Sequence, residues 1–321
     1  MTSSSDFIRQ FLFRGSEIHH DGNTIRSSIL MDSWSEGWVG IPHGGIGMGA
    51  VFELAMMAVG RPADLPYPLS VDFRMGGAKA RIGDIFEAEA SFGGSEFVGR
   101  ITVKDRDAPP YLTASIHAPK DDERKQALFL SYMPGSFSDI REQLTPLPHY
   151  RNCFVCGRER KDPGLRRRFY LSGDPGDGGF VVSPVGFDAG DCDDFYLFAR
   201  NGIAHPVASL ALLDEAMGWG GFMITGSGGV TVRASYTFYR NVRMGERLVV
   251  FGRGESKRGS AGSRLLFWGS GGIAAVNRNG GLEPLAVATG QWIGMAELTE
   301  QMKTELIPKE LTKRAFQAAG Y

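Results

Sequence analysis

The 321-residue chain has little of what marks a secreted, membrane-spanning or polyanion-binding protein. Three cysteines, Cys153, Cys156 and Cys192, are too few for a disulfide framework at this length. Positive charge is not in excess: Lys and Arg number 35 against 36 Asp and Glu, for a formal net charge of -1. A nucleic-acid or anionic-membrane surface needs a strong positive excess, so neither partner is expected. The N-terminus shows no signal-peptide pattern, because Asp6 and Arg9 come before any apolar run. The most apolar window, residues 44–60, contains Glu53 and five glycines, short of the roughly 18 charge-free residues of a spanning helix. Low-complexity tracts are absent. The expectation is a soluble, cytoplasmic protein of a reducing compartment.

Glycine, by contrast, is abundant at 44 residues. It has no collagen-like period, which implies many turns and close backbone approaches. Beneath it lies an internal repeat. Aligning GIPHGGIGMGAVFELAMMAVG (residues 40–60) with NGIAHPVASLALLDEAMGWGG (residues 201–221) sets His43 on His205 and Glu53 on Glu215. The turns Ile82-Gly83-Asp84 and Met244-Gly245-Glu246 keep the same offset of 162 residues. So large an offset indicates a duplicated domain rather than a solenoid.

Each repeat is centred on a helix, expected over 44–60 and 206–219. Val51, Leu54, Ala55 and Ala58 recur at helical spacing, and Pro206 suits a first helical turn. Gly218, Gly220 and Gly221 read as the end of the second helix. Alternating strands follow: Leu69, Val71 and Phe73 in one half, Val232, Ala234, Tyr236 and Phe238 in the other. Further strands are expected near 24–31, 86–92, 97–104, 111–117, 166–171, 180–184, 247–253, 264–269 and 285–293. The domains are then 1–118 and 151–295. A linker with short helices spans 119–150, and a helical tail spans 296–321, broken near Pro308. The fold class is α+β.

His43-Gly44-Gly45 before an apolar helix resembles the hot-dog-fold acyl-CoA thioesterases, including the phenylacetate-pathway type. So does Leu212-Leu213-Asp214-Glu215-Ala216, with His205 nine residues before the Asp. Cys153-Phe154-Val155-Cys156-Gly157, followed by Pro163-Gly164-Leu165-Arg166, resembles the leading strand of other members, and the segments after both helices resemble the family's next strand and turn. The resemblance covers about residues 20–118 and 150–295. It implies two tandem hot-dog domains, each a curled antiparallel sheet around a central helix, packed as a pseudo-dimer with antiparallel helices.

In the family a helix-start N–H binds the thioester oxygen, and a carboxylate nine residues after the histidine attacks directly or through water. Neither half keeps both parts. Phe52 stands nine residues after His43, and Pro206, which lacks an N–H, replaces the first glycine after His205. Nine helical residues span roughly 13 Å, so donor and carboxylate must come from different helices. One composite site is therefore expected, with His43, Gly44 and Asp214 as its catalytic set and Gly45, Arg240 and Arg243 binding substrate. The second, with His205 and Phe52, is expected to be dead. Glu53 and Glu215 match across the repeat, which suggests a structural role, and they are held as reserve catalytic carboxylates.

Other readings stay open. Arg166, Arg167 and Arg168 are a second possible phosphate-binding run or a charged strand face. Trp34, Trp38, Phe52 and Trp219 hint at an aryl or medium-length acyl group. His149, Cys153 and Cys156 look like part of a zinc site, to be completed by Cys192 or by Asp188, Asp191, Asp193 and Asp194, but the spacing of these gives no reason to complete it, so no metal is expected. Gly45-x-Gly47-x-Gly49 is not a dinucleotide fingerprint. No cofactor is expected beyond coenzyme A as part of the substrate, and a homodimer of pseudo-dimers is left open as the assembly. The alternatives to thioester hydrolysis are an acyl-CoA-binding or regulatory protein and an acyl-thioester hydratase or dehydratase.

Overall fold

The computed structural model describes residues 4–38, 40–59, 67–76, 80–104, 109–119, 137, 144–173, 180–187, 193–260 and 264–306. Helix α1 (Ser4–Phe13) and strands β1 (His19–Asp21) and β2 (Thr24–Leu30) come first, followed by a small hairpin of β3 (Glu36–Trp38) and β4 (Ile41–Pro42). Helix α2 (Gly44–Ala58) leads into β5 (Leu69–Met75), β6 (Ile85–Gly93), β7 (Glu96–Val103) and β8 (Leu112–His117). Next come β9 (Leu144–Pro146), β10 (Tyr170–Ser172), β11 (Phe180–Val185) and the short α3 (Asp193–Leu197). A second hairpin, β12 (Ala199–Arg200) and β13 (Ile203–Ala204), precedes α4 (Pro206–Thr225). The chain continues through β14 (Gly229–Phe238), β15 (Leu248–Arg258), β16 (Leu266–Val276) and β17 (Leu282–Gly294). Helix α5 (Ala296–Gln301) then runs into a π-helical turn, Met302–Leu306.

One antiparallel sheet holds thirteen strands in the order β1-β2-β6-β7-β8-β5-β14-β17-β16-β15-β11-β10-β9. The order β2-β6-β7-β8-β5 in one half mirrors β11-β15-β16-β17-β14 in the other, and the halves join where β5 pairs with β14, Leu69 opposite Phe238. Ser70 and Thr237 share a buried 3.0 Å hydrogen bond across that seam. The pre-helix hairpins also obey the repeat, since Ile41 and His43 correspond to Ile203 and His205.

Helices α2 and α4 are apolar on nearly every face because each lies between the curled sheet and the other helix. They run antiparallel, Gly45 against Ala211 and Gly49 against Val207. A Cβ on Gly45 would lie 2.5 Å from Ala211 Cα, and one on Gly49 would lie 2.5 Å from Val207 Cβ. Both glycines are thus the contact that lets the helices approach. Although α4 is long and apolar enough to cross a membrane, 83% of that stretch is buried within the molecule.

Helix α4 also corrects an expectation. It passes through Gly218, Gly220 and Gly221 and stops at Gly226, which takes the left-handed φ of 62° of a glycine cap. Gly220 lies against the backbone of Arg253 and Gly254, and Gly221 against the ring of Phe267. These two glycines make room for the sheet rather than end the helix. The expected 166–171 strand is only Tyr170–Ser172. Most of the expected linker (120–136 and 138–143) and the tail beyond residue 306, including Pro308, lie outside the described residues.

Candidate active site

His43 caps α2: its Nδ1 accepts the Gly45 N–H at 3.1 Å, and its backbone carbonyl accepts from Ile46 at 3.0 Å. Gly44 is the first helical residue, so its N–H has no acceptor within the helix. Asp214, from the middle of α4, comes to this end of α2. Its Oδ2 lies 3.9 Å from His43 Nδ1, and a Cβ on Gly44 would sit 3.1 Å from the same oxygen. A side chain there would crowd the carboxylate. Thr231 donates to Asp214 Oδ1 at 2.7 Å, and Glu215 Oε2 lies 3.5 Å from His43 Nε2. The structure therefore brings together His43, Gly44, Asp214 and Glu215 from two helices of different halves.

These residues open into a cavity of about 630 Å³. Its polar end is His43, Asp214, Glu215 and Thr231, and its apolar walls include Trp38, Trp219, Phe222, Phe267 and Trp292. Helix α5 and the turn after it add Leu298 and Met302. Of the aromatics singled out in the sequence, Trp38 and Trp219 line the cavity. Trp34 instead stacks on Phe11, and Phe52 belongs to the other half's site.

Burial pushes the Asp214 carboxyl above its ordinary value, against the pull of His43 and the Thr231 hydrogen bond. His43 is pulled both ways. Burial disfavours its charged form, but the hydrogen bond to Glu215 and the Asp214 charge prevail and draw it up to about 9. The Gly45 N–H needs the Nδ1 lone pair, so protonation of that nitrogen breaks the helix cap. Burial and the Asp214 charge hold the hydroxyl of Tyr111, another lining residue, in its protonated form.

The duplicate site is built differently. His205 caps α4 through Val207 N–H, and its Nε2 meets Glu53 at 3.0 Å, matching the His43–Glu215 pair. Phe52 takes the place of Asp214, and Leu69 that of Thr231. Glu53 is fully buried and held by Arg200 at 2.8 and 3.2 Å and by Arg9 at 3.2 Å. Burial raises the Glu53 carboxyl, but His205 and Arg200 outweigh it and bring the group down to about 2. Helix α1 covers this site, with Phe7 and Phe11 packed edge-on against Phe198.

Several candidates lie elsewhere. Gly45 spends its N–H on His43 and its missing side chain on the helix crossing, so it is not free to bind substrate. Arg240 and Arg243 do not line the cavity; Arg240 is tied to Glu246 and Glu283. They follow β14, beside the duplicate site. The repeat maps Arg243 onto Arg81, and Arg81 does line the cavity. Arg166 pairs with Asp194 at 2.8 Å, and Arg167 donates to the Leu165 carbonyl. His149 sits 3.7 Å from Glu159 rather than beside the cysteines. Asp188, Asp191 and Cys192 lie outside the described residues. Sequence reasoning missed Thr231 and Arg81, although aligning the halves exposes both, as Thr231 over Leu69 and Arg81 under Arg243.

Comparison with known proteins agrees with this architecture. Residues 201–260, from β13 through α4, β14 and β15, match the family model of the thioesterase superfamily. The chain is similar in fold to a candidate thioesterase II from Thermobifida fusca, at 15% identity and a TM-score of 0.51, covering 88% of this chain and 97% of that one. A hot-dog-fold protein from Alicyclobacillus acidocaldarius gives 14% identity, a TM-score of 0.48 and coverage of 90% and 98%. The PpsC dehydratase domain from Mycobacterium tuberculosis, in complex with C12:1-CoA, gives 14%, 0.49, 87% and 98%. No curated protein matches the chain. The fold is the α+β double hot-dog, and the resemblance to the hot-dog thioesterase superfamily holds in the fold and in the pattern of the second half.

Proposed function

We propose that the chain hydrolyses an acyl-CoA thioester at one composite site between α2 and α4. The observation that carries this reading is the Asp214 carboxylate of one half lying against Gly44, the free helix start of the other. Thioester hydrolysis needs a base for water and a donor for the oxyanion that forms. Asp214 takes a proton from water as the water oxygen bonds to the carbonyl carbon. The Gly44 N–H receives the oxyanion, a contribution of about 3 kcal/mol for one well-placed donor. The carbon–sulfur bond then breaks, and the thiolate leaves with the proton held by Asp214. Thr231 fixes the carboxylate, and Arg81 at the cavity wall offers a fork for coenzyme A phosphates. The aromatic walls suit an aryl or medium-length acyl group.

A thiol-release assay over a panel of acyl-CoAs tests the reading. Turnover of at least one member, reduced roughly 10²- to 10⁴-fold in Asp214→Asn with the melting temperature retained, is the expected result. Binding without thiol release points instead to an acyl-CoA-binding protein, and a gained or lost double bond to a hydratase or dehydratase.

A further inference from the structure

A second set of donors meets beside the Asp214 carboxylate and takes no part in the hydrolysis. In the Cys153-x-x-Cys156 turn the N–H groups of Val155 and Cys156 point at Cys153 Sγ, at 3.3 and 3.4 Å. Cys153 Sγ lies 4.0 Å from Glu215 Oε1, and Glu215 Oε2 lies 3.5 Å from His43 Nε2. Donor atoms of His43, Cys153 and Glu215 all fall within 4.8 Å of one another. The Cys156 thiol, three residues on in the same turn, is not one of these mutually close donors. All four residues are buried.

The duplicate site shows what is missing here. Glu53, the counterpart of Glu215, is balanced by Arg200 and Arg9, whereas Trp38 occupies the position that corresponds to Arg200. Asp214 and Glu215 thus share one imidazole, with the Cys153 thiol alongside. Arg160 is committed to the carbonyls of Ser33, Trp34, Asn152 and Asp162.

We propose that His43, Cys153 and Glu215 bind one divalent cation of the zinc class in the wall of the cavity, with a fourth position left open. Thiolate, imidazole and carboxylate together favour zinc. Ordinary zinc bond lengths place tetrahedral ligands about 3.3 Å apart for nitrogen to oxygen and about 3.5 Å for oxygen to sulfur, so the three donors, all within 4.8 Å of one another, must draw in toward the ion. Binding displaces the Cys153 thiol proton and leaves the His43 proton on Nδ1, because Nε2 holds the metal. Nδ1 then faces Asp214 Oδ2, 3.9 Å away, as the second nitrogen of a zinc-bound histidine usually faces a carboxylate. The Gly45 cap is lost in exchange. His43 and Glu215 line the cavity, which gives the ion its route in.

The full-length protein, purified without chelator, is assayed for zinc by mass spectrometry, then stripped and titrated with Co²⁺. About one zinc per chain is expected, with a near-ultraviolet thiolate-to-cobalt band that Cys153→Ser abolishes and Cys192→Ser retains. The wild-type spectrum suffices if a variant fails to fold. Neither zinc nor a cobalt band in the folded wild type, or a full band in a folded Cys153→Ser variant, overturns the proposal. No thiol release is measured, so the result is independent of the hydrolase reading.

Discussion

Two exchanges across the repeat, Asp214 for Phe52 and Thr231 for Leu69, separate the open cleft from the closed one. They belong together: a carboxylate this buried needs a donor, and Thr231 supplies one at 2.7 Å. Replacing that hydroxyl with a methyl in Thr231→Val leaves Asp214 without its charge-assisted bond. A fall in kcat of about tenfold or more is expected, following the usual 1.5–3 kcal/mol of such bonds. Steady-state kinetics on the best acyl-CoA of the panel check it. Gly44→Ala puts a methyl 3.1 Å from Asp214 Oδ2. Activity is expected to drop while urea midpoints stay near wild type, because Met75 and Met48, the other neighbours, end in flexible methyls. Wild-type turnover in Gly44→Ala contradicts the close approach. The duplicate site carries a different test. Glu53 is held down to about 2 from an ordinary 4.5, so its contribution to stability is complete above pH 4.5 and is lost as pH falls toward 2. Glu53→Gln leaves Arg200 buried without its anion and is expected to cost about 3–5 kcal/mol at neutral pH. Urea melts of both proteins from pH 7 to 3 should show the gap narrowing as pH falls; a gap independent of pH excludes the assigned network.

At the level of elements, the glycines of α2 and α4 have unlike reasons for being there. Gly45 and Gly49 set the distance between the helices, so Gly45→Ala is expected to destabilise by about 1–3 kcal/mol through overpacking. Gly218 sits inside α4, and a Cβ added there would meet nothing within 4 Å. Gly218→Ala is therefore expected to stabilise by up to about 1 kcal/mol through helix propensity. Thermal melts of both variants test the contrast; equal effects contradict it. The same glycines show where the sequence misleads. In sequence a cluster of three glycines looks like a helix stop, and only the sheet packed against α4 reveals the use of Gly220 and Gly221. Strands such as β5 and β14 were legible because their alternation is local. Thr231 was not, because the pairing of β14 with β17 is irregular between Thr231 and Arg233, and alternation does not reveal which side chains face the site. The meeting of Asp214 with the start of α2 was legible, because the nine-residue spacing and the repeat together require a partner helix. Arg81 was overlooked because the family-like turn after β14 drew attention to Arg240 and Arg243, in the other half.

Across the whole molecule, the pseudo-two-fold arrangement explains why one chain carries two equivalent clefts with unequal contents. Each cleft needs the start of one helix and the middle of the other, so duplication supplies both at once. The first cleft keeps the helix start, the carboxylate and an open cavity. The second has Phe52, Pro206 and an arginine-locked Glu53 beneath α1. Its histidine follows: burial, aided by Arg200, lowers His205, while the Glu215 and Asp214 contacts raise His43. The most direct test of this asymmetry is calorimetric titration with a non-hydrolysable analogue of an acyl-CoA that the protein turns over. The expected result is about one equivalent bound per chain, with binding weakened by bulk at Gly44 and unaffected by Phe52→Leu. Two equivalents of equal affinity contradict the account.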